Sequence, residues 1–142
     1  MSRTKKIADD LSVCSFVTPE ELPALAREFG TVINNRPDAE EFGQPSSSEI
    51  EAAARKLGMD YVHIPVVPGQ VTDEQVAAFA KALADKPGAK LAFCRTGTRS
   101  ASLWALSQAG KRPAADILSA AAGAGYDLKA LEPRLQSAAP AE

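Results

Sequence analysis

Apolar positions along the chain follow two periods, and the switches between them mark out the elements. Short β-rich runs at Leu11–Val17, Thr31–Asn34, Tyr61–Ile64 and Lys90–Phe93 predict four strands. Between them lie stretches with helical start signals. Thr18-Pro19-Glu20-Glu21 offers an N-cap, a proline at the first helical position and an acid at the third, opening a helix that runs to about Phe29 and stops at Gly30. Ser48-Glu49-Ile50-Glu51 predicts a second capping box, with Gly58 ending its helix, and Thr72-Asp73-Glu74-Gln75 a third start. In the third helix Val76, Phe79, Ala80 and Leu83 repeat at i, i+3, i+4, i+7, the stripe of one buried face. Helical stretches are also expected from about Ser100 to Ala109, over Pro113–Ala122 and over about Asp127–Gln136. Strand–helix alternation of this kind predicts an α/β fold, a parallel four-stranded sheet flanked by helices. One domain is expected over residues 1–142, with a core over about 10–136 and loose ends from Met1 to about Asp9 and from about Ser137.

Composition narrows the function. The 142 residues are 45% hydrophobic and 24% charged with a net charge of -2, which gives no electrostatic footprint for nucleic acid. No apolar run approaches the roughly 18 residues of a membrane span. The basic start, Met1-Ser2-Arg3-Thr4-Lys5-Lys6, is not followed by an apolar signal core, so a cytoplasmic location without membrane attachment is expected. Cys14 and Cys94 form no CxxC pair, and with a single histidine no Cys/His metal cluster can be assembled. Neither a metal nor another cofactor is expected.

The candidate chemistry lies in Cys94-Arg95-Thr96-Gly97-Thr98-Arg99, between a strand and a helix. Ligands in open α/β sheets bind beyond the carboxyl ends of the strands, which is where this loop falls. A thiolate is the attacking form of cysteine, and three features favour it here. The loop opens a helix, so unbonded N–H groups and the positive dipole end face it. Arg95 and Arg99 add fixed positive charge. Gly97 lets the backbone curl so that successive N–H groups converge. Such a ring binds a tetrahedral anion, with Arg95, Thr96, Gly97, Thr98, Arg99 and Ser100 lining it and either arginine free to point inward. Ser100 is also placed to donate a hydrogen bond to the sulfur. The plain alternative is a buried strand-end cysteine followed by a basic helical turn; arginines in a first turn oppose the dipole, which argues for an anion instead.

The Cys-Arg-x-Gly-x-Arg pattern resembles the active loop of rhodaneses, in which the cysteine carries a persulfide. Arg99-Ser100 after a strand-borne cysteine also resembles the signature of tyrosine and dual-specificity phosphatases, although these place five residues between Cys and Arg and this chain places four. Over roughly Leu11 to Ala109 the chain resembles the bacterial phosphatase-like domain associated with beta-lactamase-hydrolase-like proteins, through Thr31–Asp38, Gly43–Ser46, Tyr61–Val66 and Cys94–Ala101. That resemblance implies a tyrosine-phosphatase-like fold with strand order 1-4-2-3. It also suggests sulfur chemistry, because some relatives carry the domain fused to a persulfide-oxidising metallo-hydrolase. Two departures stand out. Cys14-Ser15-Phe16 replaces a Ser-Gly-Gln-like stretch, and Ile64-Pro65-Val66-Val67-Pro68-Gly69 lacks the general-acid Asp of dual-specificity phosphatases. A short loop and a missing acid predict a sulfurtransferase with a Cys94 persulfide, because sulfur transfer needs no comparable proton donor. The alternatives are a phosphatase acting through a Cys94 phosphocysteine, and an anion-binding or redox-sensing module without turnover. The expected partner is a small anion: thiosulfate, a persulfide or a phosphate ester.

Secondary candidates follow from position. Arg36 and Asp38 hang over the active edge, Arg36 as a further anion ligand and Asp38 as a displaced general acid, against the plainer reading of Asp38 as a turn residue. His63 reads as a hydrogen-bonded strand residue, Trp104 as core, and Phe16 as core or pocket rim. Cys14 reads as a buried thiol, with a disulfide to Cys94 as the alternative.

Overall fold

The computed structural model describes residues 4–137; residues 1–3 and 138–142, which fall in the segments expected to be loose, lie outside the described residues. Five strands form one sheet in the order β1-β2-β5-β3-β4: β1 (Lys5–Ala8), β2 (Leu11–Cys14), β3 (Thr31–Asn34), β4 (Asp60–His63) and β5 (Lys90–Phe93). The last four are parallel, and β1 joins β2 antiparallel. Strand count and order therefore differ from the expected four-stranded 1-4-2-3 sheet. The difference comes from β1, which occupies part of the stretch expected to be loose: Lys5, Lys6, Ile7 and Ala8 alternate too weakly to announce a strand, and pairing with β2 supplies what propensity does not.

Alternation along the central strands divides the core between the two faces. Ile33 and Ala92 face a cluster with Phe79, Trp104 and Ile117; Val32, Leu91 and Phe93 face Ile50, Met59 and Tyr61. All of β3 and β5 is buried, as expected of strands covered on both sides. Even Lys90 is inside, its Nζ donating to Asp10 Oδ2 at 2.8 Å and to the Gly88 carbonyl at 2.9 Å.

The helices are α1 (Leu22–Leu25), α2 (Ser47–Lys56), α3 (Asp73–Asp85), α4 (Thr98–Ser107), α5 (Ala114–Gly123) and α6 (Glu132–Ser137). The first is a single turn after a 3-10 segment at Pro19–Glu21, shorter than the expected helix to Phe29. The cap of α2 is Ser46 with Glu49, two residues before the predicted box, and Thr72 with Gln75 caps α3 as the spacing predicts. Every residue of α4 from Arg99 to Ser107 is buried, and the small side chains of Ala101 and Ala105 let it sit deep in the α/β layer. A helix buried from its second residue onward is held firmly in place, and the Cys94 loop leads directly into it.

Candidate active site

Cys94 follows β5 at the carboxyl edge of the sheet, and its residue is fully buried. Gly97 sits at φ +96 as the N-cap of α4, a conformation that costs glycine nothing and strains other residues. This curl turns the Gly97 N–H onto Cys94 Sγ at 3.0 Å. The thiol therefore lies against the backbone of a loop that leads into a helix N-terminus, where positive partial charge suits a bound oxyanion. Ser100 does not donate to the sulfur as expected. Its Oγ donates to Asn35 Oδ1 at 2.7 Å, and the backbone amide takes the role at the sulfur.

Of the two loop arginines, Arg99 points inward. Its side chain is 10% exposed, against 57% for Arg95. Arg99 Nη1 donates to Glu40 Oε2 and to the Val66 carbonyl, both at 2.7 Å, and Nη2 donates to Glu40 Oε1 at 3.0 Å. A guanidinium has five N–H donors in fixed directions. Three are engaged here; among the described residues, Nε–H and the second Nη2–H have no acceptor. Those two lie side by side on one edge, the fork that matches two oxygens of a tetrahedral anion.

Glu40 also accepts from Arg36 Nε at 2.9 Å, and Glu41 bridges Arg36 Nη2 and Arg95 Nη2, the latter at 3.0 Å. Burial alone would raise the Glu40 carboxyl; the hydrogen bonds and charges of Arg99 and Arg36 outweigh it and hold Glu40 below the ordinary glutamate range. The side chain of Arg36 is 4% exposed, with its guanidinium 5.9 Å from the centre of the Phe16 ring. Arg36, Arg95 and Arg99 are thus joined by two acids into one network.

Asp38 is placed elsewhere. Its Oδ1 accepts the Ser47 N–H at 2.6 Å, a bond at the first turn of α2, and Glu40, two residues on, is the acid that reaches Arg99. Thr96 and Thr98 are exposed and bond to each other through their hydroxyls at 3.2 Å. His63 Nε2 lies 3.0 Å from the Arg36 carbonyl, a strand histidine with a backbone partner. Cys14 and Cys94 are both buried thiols without a disulfide. Trp104 is buried in the core.

Three contributors are not evident from sequence spacing. Asn35, fully buried, donates through Nδ2 to the Ile64 carbonyl at 3.0 Å, accepts from Ser100, and pairs its own N–H with the Phe93 carbonyl at 2.8 Å. It ties the segment after β3 to the segment after β4, the end of β5 and the first turn of α4. Glu40 lies in the segment expected over the active edge, where the proline-flanked Asp38 draws attention first. Tyr126 lies 32 positions beyond Cys94, yet its ring packs on Gly97: a Cβ at Gly97 would fall 2.2 Å from the Tyr126 hydroxyl. The phenol is raised by burial and by the neighbouring Cys14 and Cys94. No group of three His, Cys, Asp or Glu suited to a metal occurs among the described residues, and no helix among them is long and apolar enough to cross a membrane.

Comparison with known proteins gives four findings. The family described as "Beta-lactamase hydrolase-like protein, phosphatase-like domain" matches residues 3–111. A beta-lactamase hydrolase-like protein of Agrobacterium fabrum is 35% identical over 126 residues, 87% of this chain and 29% of that protein, so the chain spans under a third of this curated relative. Among solved structures, a candidate phosphatase from Neisseria meningitidis Z2491 superposes with a TM-score of 0.87 at 29% identity, covering 97% of this chain and 99% of that one. The active form of Tk-PTP gives 0.76 at 19% identity, covering 95% and 94%, a likeness of fold.

Proposed function

Since this chain belongs to the family of the phosphatase-like domain of beta-lactamase hydrolase-like proteins, we propose that it is a cysteine-dependent phosphatase hydrolysing phosphate monoesters. The expected sulfur-transfer activity and thiosulfate as its substrate find no support in these likenesses, and the phosphatase alternative fits them better. One observation carries the reading: the open Nε/Nη2 edge of Arg99 belongs to the same loop whose Gly97 N–H meets Cys94 Sγ. A nucleophile, a ring of amides and a two-pronged cation are the parts phosphoryl transfer needs, because that reaction is dominated by positioning and charge stabilisation.

In the proposed reaction the substrate phosphoryl group lies in the loop, two of its oxygens on Arg99 and the others on loop and first-turn amides. The Cys94 thiolate forms an S–P bond as the bond from phosphorus to the leaving oxygen breaks. Water then attacks the phosphocysteine and releases inorganic phosphate and the thiolate. Arg36 and Arg95 raise the positive potential at the mouth. Cys94 is covered in this conformation, so entry requires a contact over the loop to open. The Arg95–Glu41 pair, 57% and 44% exposed, is the weakest of these. With Asp38 bonded to Ser47 and Glu40 held ionised, esters whose leaving group departs readily as an anion, such as aryl phosphates, suit the site best.

Purified protein and Cys94→Ser are each incubated with an aryl phosphate, and separately with thiosulfate plus cyanide. Phosphate release by the parent alone is the expected result. Thiocyanate formation without phosphate release would return sulfur transfer to the front, and phosphate release by Cys94→Ser would refute the thiolate mechanism.

A further inference from the structure

We propose that the Tyr126 hydroxyl completes the anion cradle by donating a hydrogen bond to an oxygen of the tetrahedral group bound in the Cys94–Arg99 loop. The inference rests on the anion-binding reading of that loop. It concerns a residue outside the 3–111 stretch shared with the family.

Tyr126 is delivered to the loop by the way α5 ends. Gly125 adopts φ +99, the left-handed residue that closes a helix. The Tyr126 N–H returns to the Ala121 carbonyl at 2.9 Å and the Gly125 N–H to the Ala122 carbonyl at 2.9 Å, the paired bonds of a Schellman ending. The backbone of Tyr126 is therefore fixed, and its side chain lies across Gly97. The positions nearest a Gly97 Cβ would be the hydroxyl oxygen at 2.2 Å, Cζ at 2.9 Å and Cε1 at 3.0 Å, so the phenol end of the ring, and not its root, meets the loop.

The hydroxyl makes no hydrogen bond to any described residue, although the ring is half-buried. A phenol that served only to fill space would lose nothing as phenylalanine. Its burial, with Cys14 and Cys94 close by, pushes its titration upward. It therefore keeps its proton over the whole neutral range and acts as a donor, and it is a poor general acid. Donation to a phosphoryl oxygen suits such a group, whereas proton delivery to a leaving group does not.

Tyr126→Phe keeps the ring against Gly97 and deletes the donor. The readout is the protection of Cys94 from iodoacetamide by inorganic phosphate, followed by mass spectrometry of the Cys94 peptide, which requires no turnover. A hydrogen bond to a charged group predicts a rise of roughly 10-fold or more in the phosphate concentration giving half-protection. Each protection curve is normalised to the same protein's alkylation rate without phosphate, because the phenol lies near Cys94. Equal half-protection in parent and variant would overturn the assignment of Tyr126 while leaving the phosphatase reading intact. A parent that phosphate does not protect would overturn both. Thermal melting of Tyr126→Phe alongside the parent confirms that the comparison is between folded proteins.

Discussion

Glu40→Gln keeps the shape of the side chain and removes the charge that orients Arg99. The carboxylate accepts two bonds from Arg99, at 2.7 and 3.0 Å, and one from Arg36 at 2.9 Å. An amide has one acceptor oxygen; its nitrogen would face a guanidinium donor, so at least one of the Arg99 bonds is lost. Bonds to charged groups contribute about 1.5–3 kcal/mol each, but desolvation of a side chain only 17% exposed offsets part of that. A net loss of about 2 kcal/mol in unfolding free energy follows. The effect on catalysis is set by geometry: an Arg99 fork free to swing lowers kcat/KM for an aryl phosphate by roughly 10- to 100-fold. Acid sensitivity gives a second readout. The folded Glu40 carboxyl titrates below its ordinary value of 4.5, so it adds stability that is fully present above that value and is lost as pH falls through the lower folded value. Urea denaturation from neutral pH downward should show this loss in the parent and a shallower one in Glu40→Gln. An unchanged kcat/KM would refute the positioning role. An increased kcat/KM would mean that the carboxylate competes with substrate for Arg99.

Asp38→Asn should leave kcat within about twofold of the parent and cost about 1 kcal/mol in chemical denaturation, the scale of a helix-start contact; a fall of more than 100-fold together with loss of the acid limb of the pH profile would establish Asp38 as the proton donor instead. Ser100→Ala strands the buried Asn35 Oδ1 and should destabilise the fold by about 1–3 kcal/mol, measured by urea unfolding. Its Cys94 alkylation rate should stay near the parent's, and a large change there would show that Ser100 reaches the sulfur.

Much of the site was legible because it is local. A strand, a cysteine, a glycine and an arginine within six positions define a loop whose curl and charge follow from backbone geometry, and Thr72 with Gln75 announces α3 in the same way. What was not legible depends on elements meeting in space. Lys5–Ala8 becomes a strand only because β2 has a free edge, and the cap of α2 moves to Ser46 because Ser46, Ser47 and Ser48 are alike until tertiary packing chooses among them. Ser100 bonds to Asn35 instead of Sγ because the first turn of α4 meets the segment after β3 there, 65 positions apart in sequence. Glu40 beats Asp38 to Arg99 for a similar reason: the turn at Ala39, with φ +59, sends successive acids in different directions. In the sequence the preference for sulfur over phosphoryl chemistry rests on loop length and a missing general acid, and both carry less weight than the phosphatase-like family matched over residues 3–111 and the fold shared with the Neisseria meningitidis structure.

The antiparallel β1 bears on how the protein behaves in a crowded solution. Without it, β2 would present a bare row of amides and carbonyls beside Leu11 and Val13, an invitation for another chain to add a strand. The edge on view is instead four residues long, begins with two exposed lysines and breaks register between Lys6 and Ala8. Like charges would face each other if two such edges met, and an interrupted ladder gives a newcomer few bonds to make. A short strand remote from the thiol thus serves colloidal stability, keeping a sheet rich in valine, isoleucine and leucine from templating its own aggregation.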